Sequence, residues 1–474
     1  MNVTRLAVIG GGISGLAAAW EAISGDPSWS VTLIESSPRL GGKIATEEFA
    51  GIEVDMGPDS FLARVPAAAQ LAREVGLGDE LVAPATGQAW LWARHRLRAL
   101  PTGLVLGVPA DVAALARSSV LPRSAAARAA LDLVLPGRPV GAGEDIAIGE
   151  LIRRRMGSTV QLGLVDPLLG GINAGHTDRL SAAVVAPQLL AAARRDRSLL
   201  RGLRAAGTSG TASGAVTSTT GAAAPVFLTV RGGLQRLVEA LGRQIAASPG
   251  SEVITGEAAV GLERGVDNGW SVRLTGGRSV ECAAVVMACP PAAAAPLLAP
   301  LSPPAATSLR LITTSSVALT LLAYPETTLP APLVGSGFLV PRTERRVLTA
   351  ASWLGPKWPH LATPGRVLIR ASAGRVDDGR ALAMDDDQLT DRVHMELASA
   401  MGLRRKPLEV RVHRWPDAFP QFAVGHLDMV AGLEARISRD APGVALAGAA
   451  LRGVGIAACI TGGRAATARL RDGE

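Results

Sequence analysis

Six residues near the start of the chain, Gly10-Gly11-Gly12-Ile13-Ser14-Gly15, have the spacing of a phosphate cradle. Gly10 permits a tight turn, Gly12 lets backbone N–H groups approach a pyrophosphate, and Gly15 leaves room for a helix to lie on a strand. Alone, this spacing is a weak signal. Here an apolar run at 5–10 precedes it, a helical pattern follows to about residue 23, and a second apolar run at 31–35 ends on Glu35. A carboxylate at that place, with Ser36 beside it, can accept both ribose hydroxyls of an adenosine. The context indicates a dinucleotide and leaves FAD and NAD both open.

Four further groups of residues carry candidate chemistry. Arg39-Leu40-Gly41-Gly42-Lys43 is a second glycine pair flanked by basic residues, or else a plain surface turn. Gly57-Pro58-Asp59-Ser60 follows an apolar strand pattern at 52–56. The Asp59 carboxylate could stabilise a developing cation or accept a proton; equally, it could bond its own backbone as a turn aspartate. Arg94, Arg96 and Arg98 are guanidinium forks suited to carboxylates, or a solvated cluster. Near the far end, Gly448 closes an apolar run at 444–447, and Arg452-Gly453-Val454-Gly455-Ile456 opens a last helical pattern.

The elements that must position these groups are dispersed along the chain. Buried strand patterns at 5–10, 31–35, 283–288 and 444–447 read as one parallel sheet assembled from separated pieces. The expected class is therefore α/β. The cofactor domain comprises 1–85, 226–300 and 431–474, with a substrate-binding and helical lobe at 86–225 and a second, β-rich substrate portion at 301–430. Helical periodicity at 110–135 and 148–169, broken by prolines and glycines, marks the helical lobe. The run 207–224 is low in complexity and reads as a mobile surface loop.

Composition excludes several functions. The net charge of +7 is almost wholly arginine, and aromatic residues are 3% of the chain, too few to interleave with cations as stacking platforms, so no nucleic-acid partner is expected. Cys282, Cys289 and Cys459 show no metal spacing and read as buried thiols, and the histidines are scattered, so no metal is expected. No apolar run reaches the length of a membrane helix. Residues 5–20 have the outline of a signal peptide, but four glycines within them make a poor helix and argue against it. A cytoplasmic protein is expected, at most peripheral to a membrane.

The second glycine pair, the Gly57–Ser60 segment and the C-terminal glycine turn resemble the flavin amine-oxidase-like superfamily. Four stretches resemble its soluble bacterial porphyrinogen oxidases: DMGPDSFLA at 55–63, ALPTG at 99–103, GGINAGHTDRLSAAVVAP at 170–187 and RWPDAFPQFAVGH at 414–426. The likeness spans the chain and implies FAD as cofactor. It would place Gly42 and Lys43 against the flavin's phosphates and ring, and Gly57–Ser60 along the isoalloxazine edge. Val260 would flank the adenine, Trp415 would lie beside the flavin, and Gly448 and Val454–Ile456 would meet its pyrimidine end. It implies a porphyrinogen substrate, with Asn173 lining its chamber, and six electrons passed through the flavin to molecular oxygen with release of hydrogen peroxide. A transient contact with the next haem-pathway enzyme would follow. One departure stands out: Asn173 and His176 occupy places where the family carries an aromatic and an acidic residue. Coproporphyrinogen III is the expected substrate, with protoporphyrinogen IX as the alternative. An amine oxidase is disfavoured because Leu319 stands where those enzymes resemble one another in having a lysine.

Overall fold

The computed structural model describes residues 4–26, 28–135, 137–208, 225–265 and 269–472. Most of the low-complexity run read as a surface loop lies outside them.

Five parallel strands form the first sheet, in the order Glu252–Thr255, Trp29–Glu35, Thr4–Ile9, Ala284–Met287 and Val444–Leu446. Their near-continuous apolar character fits a sheet covered on both faces. The central strand shows why. Leu6 and Val8 point into one core with the helices Ile13–Gly25, Gln235–Ala247 and Ile456–Asp472. Ala7 and Ile9 point into the other, which holds Trp270, Leu298 and Val430.

The helices Ile13–Gly25 and Ile456–Asp472 run parallel and touch backbone to backbone. A Cβ on Gly463 would overlap the Ser14 carbonyl oxygen, and the Thr467 hydroxyl donates to Ala18 O at 2.9 Å. Parallel packing sends both N-termini to the same end of the sheet, its carboxyl end, where ligands of open α/β sheets bind.

The second sheet has seven strands, ordered Glu409–Pro420, Thr314–Pro325, Arg366–Ala373, Leu348–Trp353, Gly337–Leu339, Trp90–Ala93 and Arg96–Ala99. Neighbours are antiparallel except for one parallel contact between Gly337–Leu339 and Trp90–Ala93. One face buries Trp92, Leu322, Tyr324 and Phe338 with Leu389, Val393 and Leu397 of helix Asp386–Met401. A helical region with its own core, from Leu115 to Leu203, adjoins the other face through Leu91, Ala93 and Leu339.

The helical region is more broken than its periodicity suggests. The pattern at 110–135 gives two short helices, Val112–Arg117 and Arg123–Ala130, interrupted before Pro122. The pattern at 148–169 stops at Gly157, with φ of 92°, and resumes as the π-helix Gln161–Gly170 with Pro167 inside it. Proline has no N–H to give the preceding turn, and the wider winding accommodates that loss.

Gly463→Ala should lower stability by about 1–3 kcal/mol, because a methyl group must push apart helices whose backbones touch. Thermal melting of the variant beside wild type measures this, and an unchanged Tm would show that the pair can separate freely.

Candidate active site

The phosphate cradle sits where strand Thr4–Ile9 ends. Gly10 takes φ of +112°, and a Cβ on it would lie 2.8 Å from the Ala288 carbonyl, so only glycine turns here without strain. Gly10 N–H donates to Ile34 O at 2.7 Å, tying the turn to the next strand. That strand ends on Glu35, whose Oε2 accepts the Gly11 N–H at 2.7 Å and whose Oε1 accepts the Ser37 N–H at 2.8 Å. Ser36 stands exposed beside it. Gly41 N–H donates to Gly11 O at 2.8 Å, so the second glycine pair lies directly on the first. Arg39 staples that loop through Ile44 O and Gly42 O, both at 2.8 Å.

The cradle fits a flavin dinucleotide. A Cβ on Gly12, Gly448 or Gly455 would meet nothing within 4 Å, so each presents bare backbone to open space. Ile13 and Ser14 supply the first turn of one helix, Ile456 the first turn of its parallel partner, and Val454 lies just before it. Val260 is 47% exposed at a bulge in strand Ala259–Arg264, five residues beyond Thr255, the register partner of Glu35. These residues could hold pyrophosphate, ribose and adenine. Lys43 follows the second glycine pair, where burial holds its ammonium below the usual lysine range, partly offset by Cys459 and Asp417.

At the other end of the cradle, Gly57 lies so close to Lys43 that a Cβ would overlap the Lys43 carbonyl oxygen. Trp415 Nε1–H donates to Met56 O at 2.8 Å, and its ring lies 4.2 Å from that of His413. Lys43, Gly57, Pro58 and Trp415 are thus gathered at one place.

Asp59 points elsewhere. Its Oδ2 is 2.7 Å from Lys357 Nζ and 3.0 Å from Arg370 Nη2, all three side chains being under 17% exposed. The Ser60 hydroxyl donates to Oδ1 at 3.0 Å. Burial pushes the Asp59 carboxyl up, but Arg370 and Lys357 outweigh it and hold the group far below the carboxylate range. A carboxylate so firmly ionised and doubly paired is no proton acceptor. It is not a turn aspartate either, because its partners come from residues 357 and 370. It anchors the segment: Arg370 Nη1 donates to Asp55 O at 3.1 Å and Gly57 O at 3.0 Å.

The residues expected to hold substrate are corrected by the geometry. Register partners share a face, and one row runs His413, Leu319, Ser372, Ala350, Leu339, Leu91, Arg98 across all seven strands. Arg98 is six strand spacings from His413, about 29 Å along the sheet, farther than a tetrapyrrole with extended propionates can reach. There its Nη1 donates to Ser119 Oγ at 3.1 Å, and it lines a surface cavity of about 460 Å³ with Arg117 and Trp90. Arg94 and Arg96 are exposed at the hairpin tip, where Arg94 and His95 take φ of 53° and 60°. Asn173 is 5% exposed, and its Nδ2 donates to Leu169 O at 2.8 Å, so one amide N–H closes its own helix turn.

Several organising residues are not singled out in the sequence, although Gln421 and His426 lie inside the 414–426 stretch. Gln421 Nε2 donates to Asn173 O and Ser315 Oγ, each at 3.0 Å, joining the helical region to the sheet. His426 Nε2 lies 3.0 Å from Ala450 O and 2.9 Å from Leu451 O, so it carries the proton and holds the turn that follows Gly448. Lys357, one of three lysines in a chain with 48 basic residues, is likewise not singled out.

Two substitutions test this arrangement. Glu35→Ala should weaken FAD retention by about 1–3 kcal/mol as ribose hydroxyls and the Gly11 N–H lose their acceptor, measured by dialysis against limiting FAD. Asp59→Asn should cost about 3–5 kcal/mol, because Lys357 and Arg370 are left buried without their carboxylate. With a depressed folded-state pKa, the Asp59 contribution is present above the unfolded value of about 3.8 and fades as pH falls below it. Denaturation midpoints of wild type and variant should therefore differ at pH 7 and converge in strong acid.

Comparison with known proteins agrees with this geometry. The family model described as flavin containing amine oxidoreductase matches residues 13–471. The coproporphyrinogen III oxidase of Bacillus subtilis is 34% identical, over 98% of this chain and 97% of that protein. The coproporphyrinogen III oxidase of Propionibacterium freudenreichii is 33% identical, over 97% of this chain and 89% of its own. A solved structure of a candidate protoporphyrinogen oxidase from an Exiguobacterium species superposes with a TM-score of 0.87 at 30% identity, covering 100% of both chains. With the glycine cradle, the Glu35 acceptor and the paired helix N-termini in one place, the chain belongs to the flavin-containing amine oxidoreductase family.

Proposed function

We propose that the protein oxidises coproporphyrinogen III to coproporphyrin III in haem synthesis. The observation that carries this reading is the apolar wall beside Trp415. Ala174, Val317 and Ala418 are buried together there, with Trp415 and Phe419 packed against them. Leu319, two residues beyond Val317, continues the same face. Ile172, Leu311 and Val424 expose large apolar side chains on segments adjoining Asn173, Thr313 and Gln421, which are hydrogen-bonded to one another. Such a wall suits a broad, flat, apolar macrocycle, and Leu319 on it supplies no lysine of the kind the amine oxidases resemble one another in having. The names of the Bacillus and Propionibacterium relatives support the coproporphyrinogen reading.

The chemistry asks little of side chains. Each round removes a hydride from a meso methylene and a proton from a pyrrole nitrogen, and three rounds remove six electrons and six hydrogens. When bound, the flavin would supply the two-electron acceptor for each round, with three dioxygens reduced to three hydrogen peroxides overall. The protein's role is to position the macrocycle and exclude water. Trp415, held through Met56 O, walls the reacting face. Asp59 is engaged by Lys357 and Arg370, so it accepts no pyrrole proton, and those protons pass to solvent.

Oxygen uptake and porphyrin fluorescence, measured with coproporphyrinogen III and protoporphyrinogen IX side by side, test the reading. Coproporphyrinogen III should show a kcat/KM at least about tenfold higher, the worth of one charged hydrogen bond. A reversed preference would favour the protoporphyrinogen reaction, and turnover of neither would remove the porphyrinogen reading.

A further inference from the structure

Strand Arg366–Ala373 runs out beside the apolar wall. Gly374 takes φ of +102°, and a Cβ on it would come within 2.8 Å of the Ser316 carbonyl oxygen and 3.1 Å of Val317 Cα. Val317 is the register partner of Trp415. Only glycine passes this close in this conformation, so Arg375 leaves the sheet one residue from the wall. On its other side, Val376 N–H donates to Ala174 O at 2.8 Å. Arg375 therefore lies in the seam between the seven-stranded sheet and the helical region. Arg342 reaches the same seam, with Nη2 donating to Gly175 O at 2.8 Å and Nε 3.6 Å from Asp166 Oδ2.

Charge in this seam does not cancel. Asp166 is 2% exposed, and its Oδ1 already accepts the N–H and hydroxyl of Thr177. Asp378, the other carboxylate acting on Arg375, is held by Arg380 at 2.6 Å. Arg375 Nη2 donates to Val340 O at 2.8 Å, while its Nε, like that of Arg342, is buried without a hydrogen-bond acceptor. Burial and the Arg342 charge push Arg375 down to about 10. Among the described residues no carboxylate lies within 4 Å of the half-buried Arg375 guanidinium, and a ligand carboxylate is the group that would pair with it.

We infer that Arg375, with Arg342 beside it, binds a propionate carboxylate of the porphyrinogen and is a specificity-determining residue for the reaction. The inference rests on the porphyrinogen reading above. It also supplies the anionic anchor that Arg98, at the far edge of the sheet, cannot.

The experiment compares wild type, Arg375→Gln and Arg375→Lys in FAD-loaded protein, using coproporphyrinogen III and its tetramethyl ester in the same detergent. In Arg375→Gln, KM for the free acid should rise about tenfold or more while KM for the ester stays unchanged. Arg375→Lys keeps the charge without the fork and should fall between. Flavin content and Tm are read in parallel. A fall in Tm or flavin content with the acid-to-ester KM ratio unmoved would make Arg375 a structural clamp and overturn the inference. Equal KM changes for acid and ester, or none, would overturn it too. Wild type that oxidises neither compound would instead remove the porphyrinogen reading itself.

Discussion

Everything at the cofactor site depends on two helices that touch without side chains between them. Where Gly463 meets the Ser14 carbonyl, the chain's first helix and its last are held close enough to act as one body. Both begin in glycine-rich turns, so their free N–H groups and positive dipole ends converge on the same volume. One helix end can cradle a pyrophosphate. Two parallel ends, separated along an extended dinucleotide, can hold both its phosphates and the electron-rich end of a flavin ring.

The substrate side is organised around a different constraint, the burial of charge. Asp59, Lys357 and Arg370 form an ionic knot behind the Gly57–Pro58 backbone, and Arg370 binds two carbonyls of that backbone as well. The knot joins the cofactor domain to the seven-stranded sheet. Arg370 shares a sheet face with Val317 and Leu319, and its charge is held there by Asp59 and by the two carbonyls. The seam at Asp166 has the same count, two cations to one carboxylate, but a different arrangement: Arg342 is paired with Asp166, and no carboxylate among the described residues lies within 4 Å of Arg375. A buried cluster in which one carboxylate holds every cation reads as architecture; a half-buried cation left without a carboxylate beside an apolar wall reads as a place for a charged ligand.

Much of the cofactor site was legible in the sequence because its chemistry is local. The Gly10–Gly15 turn, the Glu35 acceptor and the Gly453–Ile456 turn are each written in a few consecutive residues whose backbone demands are unambiguous. The substrate side was not legible in the same way. Arg94, Arg96 and Arg98 stand close together in the sequence, but nothing local says that the strand carrying Arg96 and Arg98 lies at the sheet's outer edge. Asp59 looked like a turn residue or a proton acceptor because its partners lie some 300 positions along the chain. Asn173 looked available for a ligand through the likeness of the 170–187 stretch, and its bond back to Leu169, in a π-helix, could not be read from periodicity.

The threading of the parallel sheet has a consequence for how the molecule is made. Its central strand, Thr4–Ile9, lies against Ala284–Met287, which in turn needs Val444–Leu446 at its open edge. During synthesis the βαβ unit at 4–35 emerges long before its outer helical cover, Ile456–Asp472. Until then an apolar helix face and an unpaired strand edge stay uncovered, the condition under which nascent chains aggregate or recruit chaperones. Pairings this distant in sequence also slow the search for the native topology. A cradle drawing on both helix ends is thereby assembled only once Ile456–Asp472 has been made, long after the glycine turn at 10–15.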